Sequence, residues 1–274
     1  MSAKLMMIDL HCHLIPGIDD GPATIEISLE MARIAAQQGT SHLACTPHIY
    51  PGMYENDQAG IKAQVALLQA TLDRHQIPLI LVTGADVHAV PGVLQQLMSG
   101  HIPTLNDTRY FLLEPSHFVC PPFFEAYVAE IIAGGYVPII THPERLHWIG
   151  DHYPLMKKLV QAGALMQITA SSLTGGFGGN ARYWAQRLLT DGLVHIMASD
   201  AHHSTRRPPC LGEGLKAAAR WVGAKEASRL VNERPLAILN DAPIERLAPI
   251  TFDRGWLLPR VNRLFARLGI QKII

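Results

Sequence analysis

The chain has 274 residues, 48% of them hydrophobic and 17% charged, and 23 basic side chains balance 23 acidic ones. Such a length suits two small domains or one α/β barrel, and the balanced charge gives no footing for a nucleic-acid partner. No uninterrupted apolar run of about 18 residues is there to span a bilayer, and Cys12, Cys45, Cys120 and Cys210 are scattered without a CxxC pair, so the expectation is a cytoplasmic protein kept reduced.

The chain opens on an apolar strand, Met6 to Leu10, that runs into His11-Cys12-His13 and then Asp19-Asp20-Gly21-Pro22. Alternate strand residues share a face, so His11 and His13 point together while Cys12 faces away. A single charged residue ahead of so short an apolar run does not make a secretory signal. Residues 24–39 are predicted as a helix, with Thr24 as its cap, apolar positions at Ile27, Met31 and Ile34, and Gly39 as its stop. The pattern then alternates. Strands are predicted at 42–46, 79–83, 110–113, 137–141, 165–169 and 195–198, and helices at 55–75, 91–98, 123–133, 153–162 and 181–189. Two closing helices are expected at 211–221 and 225–240.

Strands alternating with helices imply parallel pairing with right-handed crossovers. One regularity goes further. Six of the seven predicted strands carry His, Asp or Glu at or just past their C-terminal ends: His11 and His13, His48, Asp86, Glu114, His142, then Asp200 and His202. The sixth strand, ending near Ala170, is the exception. A parallel barrel gathers functional residues from many strands at that one face, whereas an open doubly wound sheet concentrates them at a switch point. The expected fold is therefore α/β, a distorted TIM-like barrel of seven β/α units forming a single domain over residues 1–242.

With Asp20, these positions make five imidazoles and four carboxylates, too many for one ion. Four carboxylates crowded without cations would repel, so two or three bridged divalent ions are expected. Nitrogen and oxygen ligands without thiolate suit Mn, Fe or Zn. The 14 histidines of the chain are in keeping with metal binding.

The motifs HCH (11–13), TPH (46–48), GAD (84–86), HPER (142–145) and SDAH (199–202) together resemble the series of the PHP (polymerase and histidinol phosphatase) superfamily. DDGP (19–22) and RPP (207–209) resemble its capsular-polysaccharide branch, whose members are metal-dependent bacterial tyrosine phosphatases. The resemblance covers roughly residues 7–240. It implies hydrolysis of phosphotyrosine on a membrane-associated tyrosine kinase that controls capsule or exopolysaccharide synthesis. It further implies a trinuclear site with manganese as the first candidate: His11, His13 and Asp200 on one ion, Glu114 and His142 on a second, Asp86 bridging these two, and Asp20, His48 and His202 on a third. The bridging residue of the branch is usually Glu, so Asp86 is a departure that leaves metal spacing open. His88 and His117 stand as compensating ligands or as their neighbours.

Bridging cations lower the pKa of bound water and supply a nucleophile at neutral pH. Arg145 and Arg207 resemble the phosphate-binding arginines of the branch, with Arg206 as an alternative to Arg207 and an ion pair with Glu144 as the other use for Arg145. A guanidinium fork suits a phosphate, and a phenol of pKa near ~10 needs little general-acid help to leave. The glycine-rich 175–179 lacks the Lys and Ser/Thr of a phosphate loop and is expected to be a mobile loop beside the site or merely a flexible connection. No cysteine is followed six residues later by Arg, which disfavours cysteine-nucleophile chemistry. Other functional readings are a histidinol-phosphatase-like enzyme acting on a small molecule and a catalytically silent kinase-binding regulator. The closing segment 243–274 carries Arg254, Arg260, Arg263, Arg267 and Lys272 against Asp253. Beyond Pro259, Val261, Leu264, Phe265 and Leu268 form one helical apolar stripe. This basic amphipathic extension either packs on the barrel or a second subunit, or makes weak contact with an anionic membrane surface through 256–270.

Overall fold

The computed structural model describes residues 6–244; the stripe expected beyond Pro259 lies outside the described residues. The first half of the chain runs β1 (Met7–Cys12), α1 (Ile25–Gln38), β2 (Thr40–Cys45), β3 (His48–Ile49), α2 (Gln58–Arg74), β4 (Ile80–Thr83), β5 (Asp86–His88) and α3 (Val93–Met98). The second half continues with β6 (Tyr110–Glu114), α4 (Phe124–Ala133), β7 (Val137–Thr141), α5 (Ile149–Ala162), β8 (Leu165–Thr169), α6 (Ala170–Thr174), α7 (Gly178–Thr190), β9 (Ile196–Ala198), α8 (Leu211–Arg229) and α9 (Glu233–Leu239).

Two short strands, β3 and β5, lie just past the ends of the predicted strands 42–46 and 79–83. Between β2 and β3 sits Pro47, which has no N–H to donate to a ladder. Between β4 and β5 sits Gly84, where a Cβ would meet Leu105 Cδ2 at 2.7 Å and Thr46 Cγ2 at 3.0 Å. All pairings between named strands are parallel, in two sheets of order β1-β2-β4 and β3-β5-β6-β7-β8-β9. The two sheets meet beyond β9: a parallel bridge joins Cys12 to Ala201, Asp200 N donates to His11 O at 2.8 Å, and His13 N to Ala201 O at 2.9 Å.

The sheets separate two cores. Ile8, Leu10, Ala44, Val82, Leu112, Ile139, Leu165 and Ile196, one or two from each long strand, pack with Ile238 and Leu239 of α9. The larger cluster lies between strands and helices and includes Cys12, Leu43, Phe111, Ile140 and Ile168. Along β1 the parity changes: Ile8 and Leu10 belong to the first cluster and Cys12 to the second. The β1–β2 register slips between Asp9 and Cys12, an irregularity that re-aims side chains and leaves His11 and His13 together.

Four boundaries depart from expectation. An additional helix, α6, follows β8, and Gly175 (φ 95°) ends it in the left-handed cap conformation. The glycine-rich stretch is therefore shorter than a five-residue loop, since Gly178 and Gly179 already belong to α7. Helix α5 starts a turn early and bends at His152 ahead of Pro154. The closing helices break at Gly223 (φ 81°) as predicted, but the first then runs on to Arg229.

Candidate metal centre

The strand ends converge. His11, His13, Asp86, His142 and Asp200 are buried, Glu114 and His202 nearly so, and Asp20 stands at the mouth. His11 Nε2 lies 3.3 Å from His13 Nε2, 3.4 Å from Asp86 Oδ2 and 3.4 Å from Asp200 Oδ1. Glu114 Oε1 is 3.5 Å from His142 Nε2, and Asp20 Oδ1 is 3.3 Å from His202 Nε2 and 3.6 Å from His48 Nε2. All nine predicted residues fall into overlapping sets whose donor atoms lie within 4.8 Å of one another: His13, Asp20, His48 and His202; His11, His142 and Asp200; His11, His13 and Asp86; His48, Asp86 and Glu114; and Glu114, His142 and His117.

The donor set fits divalent ions. Both Asp86 carboxylate oxygens and the Nδ1 atoms of His48 and His142 are buried without a hydrogen-bond partner among the described residues, which is costly unless another group satisfies them. Backbone conformation points the same way. His142 (φ 34°) and Asp200 (φ 50°), each just past a strand, sit in the left-handed region, a strain of about 1–3 kcal/mol each that concentrates at functional sites.

The charges of the cluster perturb one another. Burial alone would lower His11, yet the carboxylates of Asp86 and Asp200 outweigh it and push its pKa up to about 9. His13 goes the other way, to about 3, because burial and the imidazole of His202 both disfavour its charged form. Asp200 is held well below the usual carboxylate range against its burial by Arg207, His11 and Arg145. Glu114 is lowered against its burial by a hydrogen bond from His117 and by His88 beside it.

Both predicted arginines reach the cluster. Arg145 Nη1 donates to Asp200 Oδ2, and Arg207 Nη2 donates to the same oxygen at 2.8 Å and to Asp200 O at 3.0 Å. Arg206 is exposed, so of the adjacent pair it is Arg207 that turns inward. The alternative use of Arg145 fails: Glu144 is buried and accepts instead from Thr169 N and Ser172 Oγ, each at 2.8 Å. His117 Nε2 stands 3.2 Å from Glu114 Oε1, and His88 Nδ1 3.6 Å from Glu114 Oε2.

Three contributors were not singled out from the sequence. Asp19 Oδ2 lies 2.7 Å from His13 Nδ1, and its carboxylate also accepts from Gly21 N at 2.9 Å and His48 N at 3.1 Å. Gln167 Oε1 lies 2.9 Å from His11 Nδ1. Each acceptor fixes the tautomer that leaves Nε2 free toward the cluster. Phe177, between α6 and α7, sets its ring centroid 4.3 Å from Arg145 Cζ and 5.4 Å from Arg207 Cζ.

The sequence profile described as "Capsular polysaccharide synthesis, CpsB/CapC" matches residues 7–240. The chain is 35% identical over 243 residues to tyrosine-protein phosphatase YwqE of Bacillus subtilis, covering 89% of this chain and 95% of that protein. Against tyrosine-protein phosphatase CpsB of Streptococcus pneumoniae it is 29% identical over 240 residues, covering 86% and 99%. A solved structure from the work on YwqE and CpsB, described as metal-dependent tyrosine phosphatases, superposes with a TM-score of 0.85 at 34% identity, covering 89% of this chain and 98% of the other. A phosphotriesterase homology protein of Escherichia coli, at 11% identity and a TM-score of 0.53, shares the fold alone.

Proposed function

The chain belongs to the CpsB/CapC family of capsular polysaccharide synthesis, and on that premise we propose that it is a metal-dependent protein-tyrosine phosphatase. The observation that carries this reading is one cluster of nine oxygen and nitrogen donors with two guanidiniums on its edge. Among the described residues the nine strands occupy seven positions, with β3 and β5 following β2 and β4, which supports a distorted barrel of seven β/α units.

Two or three divalent ions, manganese first and iron or zinc next, would be held by His11, His13, Asp20, His48, Asp86, Glu114, His142, Asp200 and His202; when bound, they supply an activated water and neutralise phosphate oxygens. Asp19 and Gln167 hold His13 and His11 with Nε2 inward. Arg145 and Arg207 offer planar forks that match a phosphate's oxygens and orient the phosphorus, while Phe177 stacks near both and limits their swing. A phenolate leaves without a dedicated acid, and no side chain need supply one.

A protein substrate is favoured over a small one by the rim. Met53, on the loop after β3, and Phe118, Val119 and Phe123, on the loop after β6, are all exposed, a surface a small metabolite would not require. The reading extends to a cytoplasmic enzyme acting on the phosphotyrosine tail of a membrane-associated bacterial tyrosine kinase. Among the described residues no helix is long and apolar enough to cross a membrane. The basic composition of 256–270 supports, from sequence alone, weak contact with an anionic membrane surface.

Metal analysis followed by turnover assays tests the reading. Chelation should abolish hydrolysis of a phosphotyrosine peptide, Mn²⁺ should restore it, and histidinol phosphate should be the poorer substrate. Full activity after exhaustive metal removal, or a preference for histidinol phosphate, overturns it. Flotation with anionic vesicles, full chain against a chain ending at Ile250, tests the membrane contact; equal recovery dismisses it.

A further inference from the structure

A second charged feature lies one helix away from the centre. A cavity of about 320 Å³ opens where α6, α7 and α8 meet. Its lining includes Arg182 from α7 and Lys216 and Arg220 from α8, with Glu213 as the one acid. Lys216 and Arg220 are four residues apart, on one face of their helix with Glu213 a turn before them. Leu173 and Ala217, both buried, supply the apolar part of the lining.

Among the described residues, Glu213 is the one acid of the lining set against these cations. Among the described residues the ion pairs of α7 and α8 are Arg187 with Asp191, Arg229 with Glu226 and Glu233, and Arg234 with Glu226. Arg182, Lys216 and Arg220 are in none of them, and all three are exposed. Three cations facing one carboxylate across a concave surface give a positive potential that a low-dielectric wall concentrates.

The position ties the cavity to the reaction. Thr174 lines it, and three residues later Phe177 sets its ring 4.3 Å from Arg145 Cζ. Three residues of chain span at most about 11 Å. An extended peptide advances about 3.3 Å per residue. By that bound, side chains some three to five positions from a phosphotyrosine held by Arg145 and Arg207 are within reach of the Thr174 wall of the cavity.

We propose that this cavity is a docking subsite for acidic residues flanking the phosphotyrosine of a protein substrate, so that the enzyme selects phosphotyrosine in an acidic context. The proposal rests on the phosphatase reading above. Carboxylates three to five positions from the phosphotyrosine pair with Arg182, Lys216 and Arg220, which outnumber the single acid Glu213 and so disfavour a basic context.

The test uses the full-length, metal-loaded enzyme and two phosphotyrosine peptides, one with Glu at the third to fifth positions on both sides and one with Gln there. Wild type should turn over the Glu peptide about tenfold more efficiently, through KM, with an advantage that fades in high salt. The triple variant R182Q/K216Q/R220Q should lose that advantage, each exposed pair contributing about two- to fivefold, while handling the Gln peptide and p-nitrophenyl phosphate at wild-type rates. Fluorescence anisotropy of the unphosphorylated Glu peptide on metal-stripped protein should show binding to wild type that the variant lacks. An absent preference in wild type, or a preference that the variant retains, overturns the subsite. Loss of turnover on every aryl phosphate with intact charge-dependent binding would instead count against the phosphatase reading and leave the subsite standing.

Discussion

Removing the carboxylate of Asp19 should weaken metal binding without touching a predicted ligand. Asp19 Oδ2 is 2.7 Å from His13 Nδ1, and its two oxygens also accept from Gly21 N and His48 N. Against its burial, the facing His13 keeps this carboxyl below its usual range. Gly21 is packed so tightly that a Cβ there would meet His13 O at 2.8 Å, so the loop has no slack to replace the lost acceptor. Asp19→Asn keeps an acceptor but loses the charge, a change of about 1.5 kcal/mol for a charge-assisted bond, or roughly tenfold in affinity. Asp19→Ala frees the His13 ring and strands two backbone donors, and is expected near the hundredfold end of the range for residues that orient a ligand. Mn²⁺ titration by calorimetry on chelator-stripped protein measures both, with circular dichroism to confirm folding. An Asp19→Ala affinity within twofold of wild type would refute the reasoning.

Arg145→Ala and Arg207→Ala should each lower kcat/KM for a phosphotyrosine peptide by roughly two orders of magnitude with metal content intact, whereas Asp200→Asn should lose metal; unchanged efficiency in both arginine variants would remove them from the site. Alkylation at neutral pH should leave turnover unchanged, because Cys12 and Cys45 are buried and burial pushes the Cys210 thiol up to about 11; inactivation that tracks any cysteine's modification would contradict this. His195, away from the centre, accepts from Met166 N through Nδ1 at 3.1 Å, and burial together with Arg234 lowers its pKa to about 3. Its folded value lies below the unfolded ~6.5, so the neutral ring stabilises the fold above that pH and the contribution is lost as pH falls toward 3, at up to about 1.4 kcal/mol per pH unit. Metal-stripped wild type should therefore lose thermal stability on acidification faster than His195→Gln; parallel curves would count against it.

The alternation of strand and helix was legible because each strand is a short apolar run with a polar end, and that end is where function collects. What escaped was decided by contact rather than pattern. Pro47 and Gly84 each set off a short further strand past the end of a predicted one, and only the approach of Thr46 and Leu105 to Gly84 makes the second break intelligible. In DDGP both carboxylates were visible, but which one turns to His13 is fixed by the loop. The sixth strand looked empty because its end lacks His, Asp or Glu, yet it supplies Gln167, a lone amide in the apolar run Leu165–Thr169. That isolated polar residue was the available signal. Phe177 had none, since its partners come from two other loops.

Asp200 shows how one side chain divides such a site. Its Oδ2 takes both guanidiniums, while its Oδ1 faces His11 at 3.4 Å, His13 at 3.6 Å and His202 at 3.6 Å. One oxygen thus looks toward the imidazoles and the other toward the arginines. An ionised carboxylate offers acceptors on both sides, and an amide cannot: whichever way Asn turned, its NH₂ would meet either the guanidiniums or the donor cluster. The left-handed backbone at Asp200 (φ 50°) and the hydrogen bond from its N–H to His11 O at 2.8 Å hold the carboxylate at this boundary. Asp86 has a comparable place. Strand β5 carries it between His48 and Leu112 of its neighbours, and its Oδ2 lies 3.4 Å from His11, 3.6 Å from His48 and 3.9 Å from His142. Pairing on both sides of β5 fixes the backbone that carries this carboxylate toward the three imidazoles.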